Sequence, residues 1–395
     1  MKKICFITTI SSTLTAFVVK TAEYLHENTD WDISFICNTD DAFEQSLPEY
    51  IHYYPVQMER GISIAGVKAM LEMKKIFKRE KFDLIQYSTP NAALYASIAA
   101  KQVGCSLRNY HLMGLRYLGA SGLGKMVLKT LEKITCHYST SIECVSKSNM
   151  EMGIQEGLFP PEKVTVIWNG SSGGVDLNRF DCAKREQWRR EVRKELGYSN
   201  DDFIYGFVGR ITRDKGINEL LEAYFGLHTD AKLFIIGQME DVRTLNTDLM
   251  EKARQHPNIQ FHDSVTDIER YFAAIDVLLL PSYREGFGNV VIEAAAMGTP
   301  AIVSDIPGPI DAIDRNKTAF VVPAKDADAL AGAMRRIRTM DYTTMGQNAA
   351  KFAKENFDSD VLCEKILERK KLLLGSCRTC NKEMTADSLI SSQSE

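Results

Sequence analysis

No uncharged apolar stretch approaches the roughly 20 residues that a bilayer-spanning helix needs, so an ordinary transmembrane segment is excluded. A basic excess is missing too: 48 Lys and Arg stand against 52 Asp and Glu, a formal net charge of −4. A dedicated nucleic-acid binder would carry the opposite balance, so no nucleic-acid partner is expected. No G-x-G-x-x-G follows the first apolar run, which counts against an NAD-dependent dehydrogenase. The nine cysteines are odd in number and scattered, several inside apolar runs such as Ile36-Cys37, which suits core thiols in a reduced compartment rather than a disulfide framework. The one C-x-x-C, Cys377 to Cys380, sits in a polar tail without a second ligand pair and is not expected to hold zinc. The opening MKKICFITTI has the lysines and short apolar run of a signal peptide but no small-residue cleavage site after it. It reads as a first strand, and the protein as cytoplasmic.

What is present is a chain of 395 residues, 45% hydrophobic and 25% charged, long enough for two cores. Apolar runs at 3–8, 33–37, 83–87 and 142–145 alternate with longer patterned stretches, and 63–80 carries apolar residues at helical spacing. That rhythm predicts βαβ units and a parallel sheet. It breaks at N-G-S-S-G-G-V-D-L-N-R-F-D-C, residues 169–182, then resumes after a charged helix (184–196) with strands near 203–208, 232–236, 276–280 and 300–304. Helices are expected near 217–227, 243–255, 289–297, 326–338 and 343–356. The reading is α/β, with two Rossmann-like domains, 1–168 and 183–358, joined by a flexible loop, 169–182. An amphipathic helix at 359–375 precedes a polar tail, 376–395, expected to lack fixed structure.

Ligands of open α/β sheets bind beyond the carboxyl ends of the strands, and two loops there carry chemistry. In G-R-I-T-R-D-K-G (209–216), Arg210 offers a planar fork and Lys215 a point charge beside a helix start, a pairing suited to a diphosphate. A solvated basic loop is the plainer alternative. In R-E-G-F-G-N-V-V-I-E (284–293), Glu285 projects from a loop, and Gly286, Phe287, Gly288 and Asn289 lead into a helix, with Asn289 as the expected N-cap. Glu293, one turn further, can accept hydrogen bonds from the two hydroxyls of a ribose, or else faces solvent or an arginine.

In combination these stretches resemble the family 4 retaining glycosyltransferases. The matching pieces are G-R-I-T-R-D-K-G, the E-x7-E of Glu285 and Glu293 within P-S-Y-R-E-G-F-G-N-V-V-I-E-A-A-A-M-G-T-P, the continuation A-I-V-S-D-I-P-G-P, and N-G-S-S-G-G-V-D-L-N-R-F. The spacer after Asn169-Gly170 is similar to members that build bacterial surface polysaccharides, including capsules. The resemblance implies the GT-B architecture, two Rossmann-like domains facing each other across a cleft, with the acceptor on the first, a nucleotide-diphosphate sugar on the second, and the helix at 359–375 returning to the first domain. It also implies transfer of a hexose or N-acetylhexosamine, with a UDP-sugar favoured, to a lipid-linked saccharide. Arg210 and Lys215 would neutralise the departing diphosphate, Glu285 would touch the donor sugar and Glu293 the ribose. The amides of Phe287, Gly288 and Asn289 would grip the donor.

No metal or other cofactor is expected, because the cations and the helix dipole face the developing charge. The nearest Asp-x-Asp, Asp326-Ala-Asp328, reads as a helix cap. Where relatives carry paired glycines, this chain has Ser11, Ser12 and Thr13, hydroxyls suited either to capping a helix or to an acceptor phosphate. His111 is the candidate for a donor-sugar histidine, against an ordinary strand-end residue. Residues 108–133 mix Arg108, Arg116, Lys125, Lys129 and Lys133 with leucines, which suits either an anionic membrane surface or a solvated helix face. A non-catalytic saccharide-binding partner of an assembly complex is the alternative to an enzyme; loss of Arg210, Lys215 or either glutamate would have favoured it.

Overall fold

The computed structural model describes residues 1–390 apart from 60, 62 and 241. Its first unit has strands β1 (Lys3–Ile7), β2 (Asp32–Cys37), β3 (Ile51–Pro55), β4 (Leu84–Tyr87), β5 (Leu107–Leu112), β6 (Ser141–Cys144) and β7 (Val164–Val166). The second has β8 (Ile204–Val208), β9 (Lys232–Ile236), β10 (Ile259–His262), β11 (Val277–Leu280), β12 (Ala301–Ser304) and β13 (Ala319–Val322). Each set forms one sheet, ordered β3-β2-β1-β4-β5-β6-β7 and β10-β9-β8-β11-β12-β13. The pairings are parallel, such as Ile4 opposite Ile33 and Leu84, and Tyr205 opposite Leu233 and Val277.

Both orders reverse direction beside their first strand. That places a switch point, and hence a crevice, at the carboxyl ends of β1 and β4 and again at those of β8 and β11. Strands covered on both faces read as continuous apolar runs, which is why β1, β2, β8, β9 and β11 were visible in the sequence. Strand β5 was not, because Leu-Arg-Asn-Tyr-His-Leu carries polar groups into the sheet. There Asn109 is buried, donating to Gln86 Oε1 at 3.1 Å and accepting from Ser141 Oγ at 2.7 Å. The edge strands β3 and β10 alternate with exposed residues and were hidden for a different reason.

Helix Arg185–Leu196 clamps onto the second sheet through Arg193, which is wholly buried. Its Nη2 lies 2.9 Å from Asp276 Oδ2, while Arg189 takes the other carboxylate oxygen at 2.6 Å. The connecting loop is stitched to the chain's return: Val175 N donates to Phe357 O at 2.7 Å, and Ser359 N to Val175 O at 3.0 Å. The helix that begins at Ser359 then lies back on the first unit. Leu367 and Leu374 join Ile4, Phe6 and Leu84 in its core, and Lys370 reaches Glu143 Oε2 at 2.6 Å.

That helix is described as far as Ile390, so the tail expected to lack structure from 376 continues it instead. No glycine or proline interrupts 376–390, so nothing in that stretch breaks the helix begun at Ser359. Residues 391–395, and the side chains of Cys377 and Cys380, lie outside what is described.

Candidate active site

Strand β8 ends at Val208, and the following loop turns through Gly209 and Gly216 into helix Ile217–Leu227. Gly216 has φ +73°, and a Cβ there would fall 2.1 Å from Pro281 O, so this position excludes any side chain. The close approach brings the β8 loop against the loop after β11. Lys215 Nζ consequently sits 2.5 Å from Glu285 Oε1, which also accepts from Ser282 Oγ at 2.8 Å. Arg210 lies farther out and pairs with Glu240 Oε2 at 3.0 Å. Asp214 of the same loop pairs with Arg284 at 2.6 Å.

Two cavities meet at this pair of loops. One, of about 670 Å³, is lined by Arg210, Lys215, Glu285, Gly288, Asn289 and Glu293, with Ile10 and Ser12 entering from the first unit. The other, of about 420 Å³, is shared by Arg210, Lys215, Glu285 and Gly286 with Thr13, Thr89, Asn91, Gly114 and Arg116 across the cleft. The first cavity carries the second unit's switch point; the second connects it to the first unit's.

Glu293 is the chemically distinctive group. It lies on helix Asn289–Ala296, and no hydrogen bond reaches its carboxylate among the described residues. Arg179 is close enough to act on it electrostatically but spends its own hydrogen bonds on Glu269 and Thr266. Burial raises the Glu293 carboxyl to about 7; the Arg179 charge opposes that rise and Glu269 adds to it. A carboxylate held this way in a cavity wall is an acceptor awaiting donors.

The structure revises several residue assignments. The helix cap is Gly288 at φ +92°, not Asn289, whose Oδ1 accepts from Ser172 N of the connecting loop at 3.4 Å. Glycine reaches the left-handed region without penalty, freeing the asparagine to tie the loop down. The Phe287 ring is buried against Phe357, with ring centres 5.3 Å apart, so this residue offers the site backbone alone. Ser11 turns away and donates to Asp40 Oδ2 at 2.6 Å, leaving Ser12 and Thr13 on the cavities. Asp326, by contrast, caps its helix as expected, accepting from Ala329 N at 2.8 Å.

His111 does not line either cavity. It borders a separate space of about 30 Å³ beside Gln86, Glu143 and Lys370, with Nδ1 3.2 Å from Ser88 Oγ. Burial lowers its pKa to about 4, with Glu143 opposing and Lys370 adding, so the ring is neutral near pH 7. It is the strand-end histidine of the plainer reading, drawn under the last helix by the buried ion pair. Gly237, Gln238 and Ser264, which line the larger cavity, were not singled out from the sequence. Gly237 and Gln238 directly follow β9, so the rule that ligands bind beyond strand carboxyl ends would have pointed to them. Asn149 was also missed, since it is buried and distant in sequence from the motifs it touches.

Two doubly wound halves across a cleft, with cations and a loop carboxylate at the second switch point, define a class of protein, the GT-B glycosyltransferases. The comparisons with known proteins place the chain within it. The family described as "Glycosyl transferases group 1" matches residues 189–355, and "Glycosyl transferase 4-like" matches residues 3–146. The capsular polysaccharide biosynthesis glycosyltransferase CapM of Staphylococcus aureus is 30% identical over 350 residues, covering 87% of this chain and 90% of that protein. A UDP-Gal:alpha-D-GlcNAc-diphosphoundecaprenol alpha-1,3-galactosyltransferase of Escherichia coli is 27% identical over 78% of this chain and 81% of its own. Among solved structures, sucrose-phosphate synthase from Thermosynechococcus elongatus superposes with a TM-score of 0.77 at 19% identity, over 95% of this chain and all of that one. The chain belongs to the group 1 glycosyltransferases and is an enzyme of that kind.

Proposed function

We propose that the protein is a retaining glycosyltransferase that moves a hexose or N-acetylhexosamine from a UDP-sugar to a lipid-linked saccharide during surface polysaccharide synthesis. The observation that carries this reading is Glu293, an unpartnered carboxylate in the same cavity wall as Arg210 and Lys215. Two vicinal ribose hydroxyls supply the donors it lacks. The diphosphate then lies along Arg210, Lys215 and the amides that open helix Asn289–Ala296, and the sugar extends toward Glu285 and the smaller cavity.

Charge builds on the departing phosphate as the sugar bond breaks. Lys215 lies in a closely packed site, where a fixed cation is worth far more than in water. With Arg210 and the helix dipole it does the work a divalent ion does elsewhere, so the reaction is expected to be metal-independent. The leaving oxygen takes the acceptor proton on the same face, which gives retention without a protein nucleophile.

The named activity of the E. coli relative, with UDP-Gal and a diphosphoundecaprenol acceptor, supports both substrate classes. No described helix is long and apolar enough to cross a membrane, yet Leu123, Met126 and Val127 are exposed at the start of helix Gly122–Tyr138 beside Lys125. This mixed apolar and basic end suits peripheral contact with an anionic, cytoplasmic membrane face that presents such an acceptor. The test is transfer of label from UDP-galactose, UDP-glucose and the UDP-N-acetylhexosamines into a lipid extract. Incorporation from one donor, with retained anomeric configuration, is expected; no hydrolysis or transfer from any UDP-sugar would overturn the reading.

A further inference from the structure

The loop that carries Glu285 is held from behind by the other domain. Strand β6 runs into Val145-Ser146, and helix Lys147–Gln155 begins there with Asn149 in its first turn, fully buried. Asn149 Nδ2 lies 2.7 Å from Gly286 O, 3.2 Å from Glu285 O and 2.8 Å from Ser146 Oγ. Beside it, the amide and hydroxyl of Ser148 both donate to Asp311 Oδ2, at 2.8 and 2.7 Å, and Ser148 Oγ accepts from Gly308 N at 2.8 Å. Gly286 is pressed against the first domain as well: a Cβ there would fall 2.0 Å from Met113 O.

These contacts have a direction. The Glu285 carboxylate faces Lys215 and the cleft, while the carbonyls of Glu285 and Gly286 face Asn149. Only the amide nitrogen can serve two carbonyl acceptors, and Asn149 Oδ1 is buried without a hydrogen-bond partner among the described residues. An oxygen turned toward those carbonyls would repel both. The nucleotide side of the site, around Glu293, Gly237 and Ser264, makes none of these contacts.

We infer that Asn149, supported by Ser148 and Asp311, is a positioning residue that fixes the backbone of Glu285 and Gly286 when the two domains close, so that the sugar side of the donor site is completed only in the closed arrangement. Nucleotide binding then draws on the second domain's own residues, while transfer requires the latch. The inference rests on the donor placement proposed above.

The test compares the full-length wild type with Asn149→Ala, Asn149→Asp and Ser148→Ala. Taking this donor from the two carbonyls is expected to lower kcat by roughly 10- to 100-fold, with Asp worse than Ala although it is the closer isostere. The UDP dissociation constant, read by calorimetry, is expected to stay within about 2-fold, because the latch lies outside the nucleotide contacts. Ser148→Ala should show a smaller loss in the same direction, and its effect combined with Asn149→Ala should be less than multiplicative. Small-angle scattering with UDP should give a larger radius for Asn149→Asp than for the wild type. Wild-type kcat in Asn149→Asp, or a parallel fall of UDP affinity, kcat and melting temperature in every variant, would overturn the latch. A wild type that turns over no donor refutes the donor reading instead, and the scattering comparison still decides the latch.

Discussion

Two glutamates, one in each half of the molecule, are drawn away from bulk water and are treated in opposite ways. Glu143, on β6, is buried beneath the last helix, where Lys370 Nζ lies 2.6 Å away. Burial works to raise its pKa, but the Lys370 charge and hydrogen bond outweigh it, holding the carboxyl below its ordinary value. Glu293, half-buried in a cavity wall, has no such partner, and its removal from water raises its pKa to about 7. A buried charge that is paired ties two elements together; one left unpaired in a cavity wall is a cost that a ligand removes. The difference separates the group that holds the fold from the group that serves the site.

The sharpest way to break the comparison is Lys370→Ala. It takes the close partner from Glu143 and leaves only the longer Arg369 contact, Nε 3.7 Å from Oε1, so denaturant unfolding should show a loss of about 3 kcal/mol. Replacing both partners, Glu143→Leu with Lys370→Met, should recover most of it, because the apolar pair removes the desolvation cost along with the attraction. At the site, Lys215→Ala should lower turnover by about 10²- to 10³-fold in an initial-rate assay, the range for losing one group aimed at developing charge. Melting should change far less, since Glu285 keeps Ser282.

Glu293→Gln tests the other half of the comparison. Titration calorimetry should show nucleotide affinity falling roughly 10-fold or more as charged hydrogen bonds become neutral. Stability should move the opposite way. A carboxyl raised from 4.5 to about 7 binds more protons folded than unfolded, so its contribution is full below the unfolded value and is lost as pH rises toward 7. The Gln variant lacks that loss and should be more stable than wild type at pH 8, by about 1–3 kcal/mol, with little difference in slope below pH 4. Glu143 slopes the other way, losing stability as pH falls through its depressed pKa. The smallest effect is expected from His111→Asn, which keeps a partner for Ser88: stability within about 1 kcal/mol and turnover unchanged in the same assay.

The fold was legible where its elements obeyed one simple period. Continuous apolar runs marked β1, β8 and β11, and helical spacing marked Ile64–Glu80 and Ala327–Arg338. Strand β5 escaped because Asn109 and His111 interrupt its apolar run, and their partners Gln86, Ser141 and Ser88 lie on other segments. In the site, loop residues next to strand ends were readable, since both their chemistry and their location are local. Asn149 and His111 were not, because which face they present depends on a domain contact and on a helix more than two hundred residues away in sequence.

Local sequence determined the doubly wound rhythm, the strand-end loops and the residue types in them, because hydrophobic period and turn chemistry act over a few residues. Tertiary structure alone decided which carboxylate is paired. Lys370 meets Glu143, and Lys215 meets Glu285, across separations of 227 and 70 residues. Glu293 meets no such partner among the described residues, because the space in front of it is the cavity between the domains.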